Sequence, residues 1–123
     1  MEDQVLKLLK HPVGTFNWNE SPSSEEIRKA IKSLERFPEE LKKSLAGVTR
    51  EKLKNRYRPQ GWTIAQVVHH LADSHMHSYL RFKHAILEDI PSIKDYKEAD
   101  WAMLEDASHV DISYSINLLT ALH

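Results

Sequence analysis

The stretch from Thr63 to Ile90 holds neither glycine nor proline and opens with Thr63 and Gln66, the spacing of a capping box. Pro91 follows it at once, and the residue before a proline is driven out of helical geometry. A segment with such a start and stop has little choice but to be one long helix. At 100° per residue, Ile64, Val67, Val68, Leu71, Tyr79, Phe82 and Ile86 share a stripe, so this helix is expected to be buried in a bundle.

Ser23 and Glu26 repeat the capping-box signal, with Pro22 tolerated just ahead of it. Ile27, Ile31, Leu34, Phe37, Leu41 and Leu45 then recur at steps of three and four. Pro38 lies within that stripe and is expected to kink or divide the helix, and Gly47 is a natural stop. Residues 1–22 read as an irregular lead-in with Phe16 and Trp18 as packing anchors. Residues 49–56 read as one or two turns, and residues 57–61 as a loop. Residues 91–110 form a polar crossover with a short helix near Trp101. Asp111 offers an N-cap for a last helix whose apolar side is Ile112, Ile116, Leu118, Leu119 and Leu122. That helix carries no stop signal before His123. The expectation is a single all-α domain over 1–123: a bundle in which the end of the third helix and the fourth helix are lacking.

The chain has 123 residues and a formal charge of -1, with no long run of either sign, which gives no reason to expect a nucleic-acid partner. Zero cysteines exclude disulfides and thiolate metal sites. No apolar stretch is long enough to span a membrane, and residues 1–10 are too short and polar for a signal peptide, so a cytoplasmic location is expected by elimination.

Eight histidines stand out, five of them on the long helix: His69, His70, His75, His77 and His84. Neutral imidazole ligates zinc, nickel and iron. His70, Asp73 and His77 occupy one flank, but positions two turns apart, about 10 Å, cannot share one small ion. A two-ligand half-site from Asp73 with His70 or His69 is feasible. His69, His77 and His84 point away from the apolar stripe and are expected to be solvated. His75, at the stripe's centre, is expected to be buried against the flanking helices, with a ring nitrogen bonded to a side chain or carbonyl. From spacing alone, His70 at the stripe's edge is more often an ordinary histidine than a ligand.

The segment Gly61–Lys83 resembles the second-helix signature of the DinB/YfiT-like superfamily: Trp62, Thr63, Ile64 and then His70–Leu71 in order. The likeness extends to HPVGTF near the start and to the segments around 87–107 and 118–123, nearly the whole chain. It implies a four-helix bundle whose divalent metal, zinc or nickel, is held by three histidines. One comes from the second helix, here His70. The other two come from an HxxxH pair on the last helix, and this sequence contains no such pair. His123 falls at a family position that is not a ligand. The resemblance implies a metal-dependent hydrolase, or a transferase using a low-molecular-weight thiol such as bacillithiol or mycothiol, acting on a small molecule. One histidine does not hold a divalent ion tightly, so this chain is expected to bind metal weakly and to lack activity unaided. The alternative is a non-catalytic helical module that self-associates through an unfinished apolar face. On either reading a homodimer is expected, with parts of Ile112, Ile116, Leu119 and Leu122 exposed for it.

Overall fold

A computed structural model describes residues 4–123, and the first three residues of the expected lead-in lie outside them. The elements are helices α1 (Gln4–Lys10), α2 (Ser24–Ser44), α3 (Arg50–Leu53), α4 (Ile64–Leu87), α5 (Glu98–Trp101) and α6 (Ser113–Leu122), with a 3₁₀ turn at Asp106–Ser108. Among the described residues there is no strand, only an isolated bridge between Arg56 and Thr63. The all-α class is therefore observed.

Both capping boxes form. Ser23 N–H donates to Glu26 Oε2 at 2.7 Å and Glu26 N–H to Ser23 Oγ at 3.2 Å. Thr63 N–H donates to Gln66 Oε1 at 2.9 Å and Gln66 N–H to Thr63 Oγ1 at 3.1 Å. Gln66 is also buried, and its Nε2 donates to the Ala102 carbonyl at 2.7 Å, so the start of α4 also fixes the end of α5. Thr49 caps α3, and the expected short helix at Trp101 is α5. Asp111 Oδ1 accepts from Ser113 N–H and Oγ, so it organises the start of α6 as an Asx turn one residue outside the helix flank.

Several expectations change. The lead-in is not irregular throughout, because Gln4–Lys10 is helical. Its leucines, lysines and glutamine are strong helix formers that act locally before Pro12. Phe16 and Trp18 anchor nothing internal: they are 85% and 76% exposed and pack on each other at 6.4 Å. Pro38 neither divides nor ends α2. The hydrogen bond that Pro38 cannot make would have gone to the Leu34 carbonyl, and the His123 ring takes its place, Nδ1 donating to that oxygen at 2.6 Å. α4 ends at Leu87 rather than Ile90, since Ile86 and Leu87 project into solvent and no packing holds the final turn.

The largest revision concerns which face of α4 is covered. α6 packs on α4, with His69 bonded to Ser115 across the contact; the buried residues of α4 include Ala65, Val68, His69 and Ala72, and Leu119 of α6 is fully enclosed. Small residues at this spacing let two helices approach closely. Leu53, Ala65, Val68 and Ile112 form the core cluster, flanked by Leu45, Val48, Ile64, Val110 and Ile116. Tyr79, Phe82 and Ile86 of the expected stripe are exposed, as are Ile27, Ile31 and Leu34 of α2. Ile112, at the N-cap of α6, and Leu119 are buried and Leu118 is the exposed leucine; further exposed apolar side chains lie on α2, on the second half of α4 and outside both, at Val13, Phe16, Trp18 and Ile90 among others.

Candidate functional site

α4 carries the candidate residues, and the loop before it supplies their first neighbour. The Asn55 carbonyl accepts from Ile64 N–H at 2.9 Å and the Trp62 carbonyl from Tyr57 N–H at 3.2 Å, closing residues 55–64 into a tight turn. Gly61 sits where a Cβ would lie 2.7 Å from Arg58 Cγ and 2.9 Å from Tyr57 Cε1, so no larger residue fits without displacing its neighbours. This turn sets Trp62 against His70, ring centroids 4.9 Å apart. Tyr96, from the crossover, lies near the same imidazole at 6.5 Å.

His70 is half-buried, and its nitrogens make no hydrogen bond to any other described residue. Burial holds its pKa below the ordinary histidine value, outweighing the opposing charges of Asp73 and Glu98. The ring is thus neutral at neutral pH, the form that ligates a metal. Asp73 stands one turn along on the same flank. Burial, then the charge of Asp106, raise the pKa of its carboxyl, against the pull of His70, His69 and His77. A partly desolvated carboxylate beside a neutral imidazole is an arrangement that a cation relieves. These two side chains therefore fit as part of a divalent-metal donor set. Among the described residues, no three His, Asp or Glu side chains converge on one point.

The other histidines are occupied elsewhere. His69 was expected in solvent and is 3% exposed. Its Nε2 lies 2.8 Å from the His109 carbonyl, which can only accept, so Nε2 carries the proton; Nδ1 then accepts from Ser115 Oγ–H at 2.6 Å. Tyr114 stacks on the ring at 4.9 Å. With both nitrogens engaged, His69 is unavailable to Asp73, and of the two half-sites only His70–Asp73 remains. His77, also expected in solvent, is half-buried. It stacks on Tyr96 at 3.9 Å, meets the edge of Trp101 at 4.9 Å and donates Nδ1–H to the Asp73 carbonyl at 2.7 Å. His84 is exposed and donates to Glu88 at 2.7 Å.

His75 lies between α2 and the end of α6, as its place in the stripe implies, but it is half-buried rather than enclosed. It stacks on Phe37 at 5.2 Å and on His123 at 4.8 Å. Because His123 Nδ1 donates to the Leu34 carbonyl, His123 Nε2 accepts from His75 Nδ1–H at 2.6 Å. Burial, then the neighbouring His123 and His70, lower the His75 pKa. No sequence signal pointed to the His75–His123 pair, whose members are 48 positions apart. Nor did any single out Tyr96, which is brought beside both His70 and His77 by an irregular crossover.

The sequence pattern that defines the DinB superfamily matches residues 33–122, which include α4 and α6 and every histidine just described except His123. The chain belongs to the DinB superfamily. Curated DinB relatives include YfiT of Bacillus subtilis strain 168, whose name proposes a metal-dependent hydrolase. It is 45% identical over 115 residues, 94% of this chain and 65% of that protein. A Geobacillus thermodenitrificans relative with the same proposed activity in its name is 40% identical, again over 94% of this chain and 65% of that protein. The solved structure of Bacillus subtilis YfiT, described as an unusual four-helix bundle, superposes with a TM-score of 0.89 at 45% identity, over 94% of this chain and 66% of that one. This DinB chain thus spans about two thirds of the length of the relatives it matches. Among the described residues no helix is long and apolar enough to cross a membrane.

Proposed function

We propose that this chain supplies the second-helix part of a divalent-metal centre in a DinB-type metal-dependent enzyme, with His70 as a ligand and Asp73 beside it. The observation that carries the reading is the state of His70: half-buried, unbonded, kept neutral by burial, and walled by Trp62 and Tyr96. The names of the relatives support the same direction, and the reaction we propose is hydrolysis or transfer of a low-molecular-weight thiol to a small-molecule substrate. When bound, the ion, zinc or nickel, supplies Lewis acidity that lowers the pKa of water or a thiol placed beside it. The protein's own contribution is positional. Trp62 and Tyr96 shield the imidazole from solvent, Gln66 ties the start of α4 to the crossover, and Asp73 adds negative charge one turn away.

Equilibrium dialysis of the 123-residue chain against zinc and against nickel tests this. One site of low affinity is expected, lost in His70→Ala and unchanged in His84→Ala, because two protein donors fall short of a complete coordination shell. Binding that survives His70→Ala would remove His70 from the centre.

A second reading is favoured by one observation. Ile27, Ile31 and Leu34 of α2 and Tyr79, Phe82 and Ile86 of α4 are all more than a third exposed, a large apolar surface for a chain of this size. We propose that two copies cover this surface as a homodimer, so that the chain can act as a helical association module. Sedimentation at tens of micromolar should show a dimer. Tyr79→Lys with Phe82→Glu should return it to monomer with its helical circular dichroism intact. A wild-type monomer that binds no apolar dye would defeat this reading.

A further inference from the structure

Arg81 belongs to neither the core nor the candidate metal centre, and its place is unusual. It lies on α4, half-buried, and its Nε is fully shielded yet has no hydrogen-bond partner. No carboxylate pairs with it among the described residues. A buried guanidinium nitrogen without an acceptor leaves a strong donor unused.

The surroundings indicate what acceptor would fit. Arg81 lines a recess of about 180 Å³ together with His77, Leu80, His84, Ser92, Ile93 and Lys94. Two permanent cations and a hydroxyl thus face the recess, and no carboxylate lines it. Glu88 is held by His84, and Asp95, which accepts from Tyr96 N–H, and Asp100 line the adjoining cavity instead. His77, Leu80 and Lys94 are shared with that cavity of about 590 Å³, which continues past Tyr96 and Trp101. Tyr96 in turn stands beside His70. The recess is therefore one end of a groove whose other end approaches the candidate metal ligand.

Helix geometry gives the groove its direction. Arg81 follows His70 by eleven residues, close to three full turns, so both project from the same side of α4 with His77 between them. Their Cα atoms are roughly 16 Å apart along the axis, and the arginine stem leans back toward the helix N-terminus. A planar guanidinium presents a fork of N–H donors that matches a carboxylate in two-point contact, with a lysine adding charge.

We infer that Arg81 and Lys94, with the Ser92 hydroxyl, form a subsite for the carboxylate of a small organic molecule lying in this groove. That such a molecule is the substrate of the centre at His70 rests on the proposed function; that a carboxylate binds at Arg81 does not.

The test is direct observation of the Arg81 Nε–Hε resonance by ¹H–¹⁵N spectroscopy while sodium succinate is added to the 123-residue chain. Sodium chloride of equal ionic strength is the control and inorganic phosphate a parallel arm. Succinate should shift this resonance saturably in the millimolar range, while chloride should not. Lys94→Ala, at an exposed position, should raise the apparent Kd at least threefold, and Arg81→Gln should abolish the saturable shifts of neighbouring backbone amides. His70→Ala should leave binding unchanged, which separates this subsite from the metal reading. Shifts that merely follow ionic strength, or that persist in both variants, would overturn the subsite. Saturation by phosphate without succinate would overturn its assignment to a carboxylate.

Discussion

Replacing His69 with alanine should lower the folding free energy by about 3 kcal/mol, although the sequence places this residue on a polar flank. The substitution leaves the Ser115 hydroxyl without its acceptor and the His109 carbonyl without its donor, both next to a residue only 3% exposed. An unsatisfied buried polar group costs about 1–3 kcal/mol; the buried Ser115 hydroxyl becomes one, the partly buried His109 carbonyl loses its donor, and a small void opens. His69→Asn offers a test of the mechanism. Its amide reaches the Nδ1 position and restores the Ser115 bond, but not the one to His109, so about half of the loss should return. Urea denaturation midpoints of the three chains measure this. Equal midpoints for His69→Ala and wild type would show that the two bonds contribute nothing net. The same bonds lock α4 against α6 and the end of the 3₁₀ turn, one residue before His70, so the variant should also perturb the chemical shifts of Trp62 and Tyr96 around that imidazole.

His69 shows where the sequence was legible and where it was not. The starts of α2 and α4 could be read because capping boxes are local: four residues decide them, and the structure contains both. The order of helices and their all-α character followed from periodicity and the positions of proline and glycine. The buried face of α4 could not be read by weighting large apolar side chains. The buried residues of α4 include Ala65, Val68, His69 and Ala72, where small residues allow close approach and the histidine finds a partner on α6. A wheel assigns alanine little weight and histidine the wrong sign. The proximity of His123 to Leu34 was equally hidden, since it depends on a carbonyl freed by Pro38 meeting a ring 89 positions away. His70 was singled out by its resemblance to a family motif, while its walls, Trp62 and Tyr96, come from a turn and a crossover whose paths no periodicity specifies.

Leu119→Ala should be comparably damaging, with an expected loss of about 2–5 kcal/mol. Leu119 is 1% exposed and is the large side chain most completely enclosed in the bundle, at the α4–α6 packing that dominates the fold. Truncating it removes the transfer free energy of three carbons and leaves a cavity that the surrounding structure fills only in part. Its neighbour supplies the control. Leu118 lies on the same apolar side by sequence pattern but is 40% exposed, so Leu118→Ala should cost well under 1 kcal/mol. A net stability of 5–15 kcal/mol is the general range for domains, and a chain with this much uncovered apolar surface sits toward its lower end, so Leu119→Ala should be visibly unfolded at 37 °C by near-ultraviolet circular dichroism. Because the contact joins the same two helices that the His69–Ser115 bond links, Leu119→Ala and His69→Ala should not be additive, their combined loss falling short of the sum once the first has already loosened the interface. Similar losses for Leu118→Ala and Leu119→Ala would mean that α6 is free to rotate on α4, and the enclosure seen at Leu119 would then not describe the chain in solution.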